Sequence, residues 1–386
     1  MTITEIFDPD VYPETADLIY VSVSDAGISR IRTEEGFEYY QNNRKIESEK
    51  LLQRINGLVI PPAWEHVWIC KDANGHIQCT GLDARGRKQY RYHALWQKSR
   101  NESKFSRLTD FGHAIKKLRR QINNDLRKKT LCEDKVIATV LALMDETHIR
   151  VGNNQYEKAN KSYGLTTLKD KHVEISGEKI CFSFVGKKGI HHTISLLNKQ
   201  LARIIKQCRD IPGKALFQYY DQAGNRHTLD SGKVNAYIRK HTEDSFTTKD
   251  LRTWSASVCA LQGFLNATVA DTETTRKKIV LEVLDRVSKQ LGNTRTVCKK
   301  YYVHPRILFL YENDQLEKQV KKIPAADQWL SSEEKLLLKL LKKTPPKQSG
   351  AITAPLCSFF AFCMLSITRG VHPYRFRPLA LCISPI

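Results

Sequence analysis

The period of the apolar positions changes near residue 95. Before it, short runs such as Val67-Trp68-Ile69-Cys70 and Ile77-Gln78-Cys79-Thr80 flank an Asp72-Ala73-Asn74-Gly75 turn, and a further β-rich run covers 17–24. This pattern predicts a small, largely antiparallel domain. Beyond it, residues 104–127 and 134–149 carry apolar side chains at helical spacing (Val136, Ile137, Val140, Leu141, Met144), so a mainly helical domain is expected. One interruption falls at 172–195, where Val173/Ile175, Ile180/Phe182/Phe184 and Ile190/Ile194 alternate around Ser176-Gly177-Glu178 and Gly186-Lys187-Lys188-Gly189. That is the signature of a three-stranded meander with two tight hairpins. A Lys-rich segment at 332–347 predicts a basic helix ending at Pro345-Pro346, and after Gly350 the composition turns to Cys, Phe, Leu and Pro without a period. The expected fold class is α+β, divided into a β-rich domain at 1–95, a helical domain at 96–325, a basic helical extension at 326–347 and a disordered tail at 348–386.

Charge alters this picture by pointing to a partner. The 386-residue chain has a formal net charge of +21, more than solubility requires. Residues 1–66 are acidic on balance, whereas residues 81–130 hold 15 Lys/Arg against 4 Asp/Glu, interleaved with Tyr90, Tyr92, His93, Trp96 and Phe105. Cations that neutralise phosphates, with aromatics able to reach sugars and base edges, describe a DNA footprint. The ten cysteines are scattered, show no C-x-x-C spacing and follow no secretory segment at Met1, which fits a reduced cytoplasmic protein. No uninterrupted apolar run is long enough for a membrane span.

Chemistry on DNA could use metal, but candidate ligands are sparse. The only D-x-D is Asp8-Pro9-Asp10, there is no phosphate loop and no H-E-x-x-H, and adjacent His191 and His192 on a strand would face opposite ways. No metal or cofactor is expected. Metal-free strand cleavage needs a covalent nucleophile, cations on the nonbridging oxygens and an acid for the alkoxide. Candidates occur in four segments: Asp145 to Asn153 with Arg150, Phe184 to Lys188 with Lys187, Phe246 to Trp254 with Arg252, and Leu291 to Pro305 with Asn293, Tyr301 and Tyr302.

Arg, Lys, Arg and Tyr in that order resemble the type IB DNA topoisomerases of bacteria, poxviruses and giant viruses. The resemblance runs over residues 15–320 and includes Gly57 to Trp64 and Thr80 to His93, which look like stretches of the family's N-terminal DNA-gripping domain. It implies a catalytic domain shared with tyrosine recombinases. It also implies that Arg150 and Arg252 clamp the scissile phosphate, that Lys187 is the general acid and that Tyr302 is the nucleophile. Asn293 stands where many members have a histidine; an amide can donate one hydrogen bond there but carries no charge. Arg87, Lys88, Gln89, Tyr90, Tyr92 and Tyr156 would contact duplex DNA, with the protein acting as a monomer.

Local rivals remain for two of these roles. Lys188 competes with Lys187, which is preferred because the family's lysine directly follows the glycine, and Tyr301 competes with Tyr302, preferred for its nine-residue step from Asn293. Two other functions compete as well. A tyrosine recombinase would carry a histidine three residues before the second arginine, where this chain has Lys249, and a silent DNA-binding protein would show decay at the catalytic positions.

Overall fold

The computed structural model describes residues 18–268, 272–320 and 322–342, so Asp8-Pro9-Asp10 and the expected tail at 348–386 lie outside the described residues. The chain opens with β1 (Ile28–Thr33), β2 (Gly36–Gln41), β3 (Arg44–Lys45), α1 (Glu49–Gly57), β4 (Glu65–Ile69), β5 (Ile77–Leu82) and β6 (Lys88–Tyr92). These strands form one six-stranded antiparallel sheet in the order β3-β2-β1-β4-β5-β6. Its core is small: Ile28, Ile55, Val67, Ile69 and Cys79 are buried, with Tyr39, Leu51, Leu58 and Trp64 packed around them. The hairpin expected around Asp72–Gly75 is the β4–β5 pair, in register Ile69 to Cys79. Among the described residues of the run at 17–24, the strand pairing is an isolated bridge from Ile19 to Gly75. There the Asp25 carboxylate accepts from the Ser22 amide and closes a turn, and the sheet strand starts later, at Ile28.

The second part contains α2 (Ala94–Ser106), α3 (Leu108–Leu126), α4 (Glu133–Thr147), α5 (Asn154–Asn160), β7 (Val173–Ser176), β8 (Lys179–Val185) and β9 (His191–Leu197). It continues with α6 (Lys199–Arg209), β10 (Gln218–Tyr220), β11 (Arg226–Thr228), α7 (Ser231–Thr242), α8 (Thr248–Leu265) and α9 (Glu273–Leu291). It ends with α10 (Arg295–Tyr301), α11 (Pro305–Glu312), α12 (Leu316–Gln319) and α13 (Ser332–Lys342). The helix expected at 104–127 is two helices meeting at Arg107, and the first begins directly after β6, capped by the His93 ring, which accepts from the Leu95 amide. Few apolar residues mark α2, since only Trp96, Ser99 and Phe105 are buried along it, and periodicity therefore missed its first turns.

The meander forms as β7-β8-β9, with Val173 opposite Phe182 and Val185 opposite His191. Its first turn has Gly177 at φ +61°, and the second has Lys188 and Gly189 at φ +66° and +76°. Ile180, Phe182 and Phe184 enter the core from one face of β8. That core gathers Phe111, Phe182, Phe217, Phe246 and Trp254. The helix expected at 332–347 is α13, residues 326–331 of the expected extension being non-helical, and its described part belongs to the same core through Leu336, Leu337, Leu340 and Leu341. Its Glu334 is buried and accepts from Arg119 and from the Trp254 indole, both at 2.8 Å.

Candidate active site

Each reactive side chain comes from the end of an element. α4 stops at Thr147 with His148 in the left-handed region at φ +56°, and the chain then leaves the helix through Arg150. The Arg150 and Val151 carbonyls accept from the amides of Leu165 and Thr166 at 2.9 and 2.7 Å. A methyl on Gly164 would sit 2.6 Å from the Arg150 carbonyl, so only glycine allows these two stretches to approach so closely. Arg252 lies in the first turns of α8, whose start is fixed by a capping box between Thr247 and Asp250. Lys187 sits at the exposed β8–β9 turn, Asn293 follows the left-handed Gly292 that ends α9, and Tyr302 terminates α10.

These ends converge. Arg150 Nη2 donates to Asn293 Oδ1 at 2.5 Å and to the Gly292 carbonyl at 3.1 Å. Arg252 donates to the His148 carbonyl and, at 2.9 Å, to the Leu291 carbonyl. Both arginines thus tie the end of α4 to the end of α9. The Arg252 guanidinium lies 5.7 Å from the centre of the Tyr302 ring. The Tyr302 backbone is held from α8 as well: Ser257 Oγ donates to the Tyr302 carbonyl at 3.2 Å and accepts from the His304 amide at 3.1 Å.

The electrostatics follow from crowding cations at low exposure. Arg252 is 6% exposed, and burial, then the neighbouring Arg150 charge, push its guanidinium below the usual range. Burial depresses Arg150 in the same direction, against the attraction of Tyr302. Partial desolvation and then Arg150 lower the Lys187 ammonium. Buried here without a hydrogen-bond partner among the described residues are the donors Arg252 Nε and Asn293 Nδ2 and the ring nitrogen His148 Nδ1. A buried donor left unpaired costs about 1–3 kcal/mol, more for a charged group, so two such donors, one of them on the arginine beside Tyr302, fit a site that receives an anion.

Of the candidates for DNA contact, Lys88, Tyr90 and Tyr92 are exposed on one face of the edge strand β6, with the two rings stacked at 5.9 Å. Alternation turns Gln89 to the other face, where its amide donates to Asp83 at 2.9 Å. Arg87 pairs with the same Asp83 at 2.7 Å and lies in electrostatic range of Tyr156, which is exposed on α5. Among the described residues no His, Cys, Asp or Glu cluster could hold a metal ion, and no helix is long and apolar enough to cross a membrane.

Sequence reasoning passed over Lys104. Its ammonium donates to the Tyr301 carbonyl and lies 5.2 Å from the Tyr302 ring centre, and burial, then Lys249, lower it to about 8. A lysine in the last turn of α2 carries no sequence signal for such a contact across the fold.

A family model described as "Eukaryotic DNA topoisomerase I, catalytic core" matches residues 93–328, and one described as "Bacterial DNA topoisomerase IB, N-terminal domain" matches residues 36–83. The chain is 36% identical over 297 residues to DNA topoisomerase 1B of Acanthamoeba polyphaga mimivirus, across 75% of this chain and 88% of the relative. It is 26% identical over 272 residues to DNA topoisomerase I of monkeypox virus and to DNA topoisomerase 1B of vaccinia virus (strain Copenhagen), in each case across 69% of this chain and 82% of the relative. With one family matched along both the β-rich and the helical parts, the chain belongs to the type IB DNA topoisomerases.

Proposed function

We propose that the chain relaxes supercoiled duplex DNA through a transient 3′-phosphotyrosyl bond made by Tyr302. The observation that carries this reading is two buried, unpartnered donors: Arg252 Nε, whose guanidinium lies 5.7 Å from the Tyr302 ring centre, and Asn293 Nδ2, on the amide that accepts from Arg150. Both match the nonbridging oxygens of a phosphodiester, as does the guanidinium of Arg150. Tyr302 Oη attacks phosphorus, losing its proton to solvent, and the bond from phosphorus to the 5′ oxygen breaks with its electron pair on that oxygen. Lys187, lowered toward a working acid by partial desolvation and then by the Arg150 charge, supplies the proton. The 5′ end rotates about the intact strand and then attacks the tyrosyl ester, reversing the step. The ester conserves the phosphodiester energy, so the reading needs no ATP.

The sheet up to residue 95 and the helical part at 96–325 act as two jaws in this proposal, with Arg87, Lys88, Gln89, Tyr90, Tyr92 and Tyr156 on the duplex. Gln89 would first have to leave Asp83. The protein acts as a monomer in the cytoplasm beside the DNA; the free cysteines among the described residues suit a reducing compartment. The test is relaxation of supercoiled plasmid in EDTA without ATP, together with covalent capture. Tyr302→Phe is expected to bind DNA and form no adduct, while Tyr301→Phe still forms one. No relaxation by folded protein would overturn the reading, and the reverse adduct pattern would move the nucleophile by one residue.

A further inference from the structure

His192 takes no part in the proposed chemistry, yet its ring stands between the backbones that carry two of the site's groups. On β9 it is half-buried, whereas His191 is exposed. On one side lies Gly186, the residue before Lys187: a methyl built there would come within 2.6 Å of the His192 ring. On the other side lies Gly292, the residue before Asn293, where a methyl would come closer still. Beneath it the ring stacks on Phe184, with centres 5.2 Å apart and planes at 21°. Phe184 is 4% exposed, so the stack rests on the core. Burial, then the Arg150 and Arg252 charges, hold the imidazole toward its neutral form, so it adds no further cation to the site.

A β-hairpin turn joined to the molecule only through its strands is free to rock, and a displacement of about 1 Å at a catalytic group can cost about 100-fold in rate. We propose that His192 is a positioning residue that wedges the Lys187 turn against the Gly292-Asn293 turn and so holds the lysine at the leaving oxygen. The two glycines are the other half of the device, because any side chain at either would push the ring out.

This rests on Lys187 being the general acid, and the experiment separates the two claims. Single-turnover cleavage is measured on a normal strand and on one with sulfur in place of the bridging 5′ oxygen, whose thiolate leaves without a proton. Lys187→Ala, His192→Ala, Gly186→Ala and the last two combined are compared, with melting and DNA affinity recorded for each. His192→Ala is expected to cleave the normal strand about 100-fold slower and the sulfur strand within about threefold of the parent. Gly186, at φ −94°, accepts an alanine without backbone strain. Gly186→Ala alone should reproduce that pattern by displacing the ring, yet add less than about threefold once His192 is Ala.

If Lys187→Ala is not rescued by sulfur, the assignment of the acid fails and the wedge with it. If Lys187→Ala is rescued but His192→Ala is equally slow on both strands, the acid stands and the wedge is overturned. No slowing on either strand, or full additivity with Gly186→Ala, overturns it as well.

Discussion

Replacing Asn293 tests the electrostatic design of the site most directly, because its two amide atoms do different things. Oδ1 accepts from Arg150 at 2.5 Å, and Nδ2 is buried without a partner. Asn293→Ala removes one donor to a charged oxygen, worth about 1.5–3 kcal/mol, while Arg150 keeps its bond to the Gly292 carbonyl. The expected slowing of cleavage is about 10- to 150-fold. Arg252→Ala removes a 6% exposed cation and its bonds to His148 and Leu291 together, so a loss of at least about 1,000-fold is expected. Asn293→Asp is the sharper probe. A carboxylate there would pair with Arg150 and oppose the phosphate. At about 4 Å and an effective dielectric constant of about 20, that repulsion alone is about 4 kcal/mol, or roughly another 1,000-fold. Asn293→His keeps a donor and is expected within about tenfold of the parent. The assay is single-turnover formation of the covalent adduct on a strand whose cleaved 5′ fragment diffuses away, at fixed salt. An Asn293→Ala rate as low as that of Arg252→Ala, or an Asn293→Asp rate no lower than that of Asn293→Ala, would refute the reasoning.

Two further outcomes concern buried charge. Glu334→Ala strips the carboxylate that Arg119 and Trp254 share; because Arg119 keeps Asp145 and is 21% exposed, a loss near the lower end of a broken buried pair, about 3 kcal/mol, is expected. Differential scanning calorimetry should show a fall of about 4–6 °C, and a fall under about 1 °C would show that the network contributes little. Lys104 has its folded pKa lowered to about 8 from 10.5 by burial, so between those values the unfolded chain holds more protons and stability rises with pH. At pH 7 the half-buried ammonium is fully charged, and Lys104→Met should be more stable than the parent by about 2–3 kcal/mol, an advantage that shrinks as pH rises from 8 to 10. A pH-independent difference in denaturant midpoint would contradict this.

Features that depend on near neighbours in the chain were legible in the sequence. The glycine turns of the meander, the hairpin around Asp72–Gly75 and the helical run from Asp134 each follow from local φ/ψ demands or a repeating apolar position, and the structure has all of them. The order of Arg150, Lys187, Arg252, Asn293 and Tyr302 was equally visible, because each stands in a short motif. Their meeting was not, since it depends on the ends of α4, α9 and α10 and the start of α8 coming to one place, which only packing around Trp254 and its neighbours decides. The same holds for residues acting across the fold. Lys104 reads as one more charge on a polar helix until α2 brings it against Tyr302, and His192 reads as half of a His-His pair until strand pairing sets its ring between two glycines. The basic helix at the end of the described chain reads as a charged extension, because lysines punctuate it and continue past it toward Pro345-Pro346. Its leucines nevertheless lie on one stripe and fill the core, and Glu334 finds partners on α3 and α8 that no local pattern could name. Local backbone preferences act over three or four residues and are written in the sequence; which side chains then touch is set by the burial of apolar surface over the whole fold, and that sum only the tertiary structure performs.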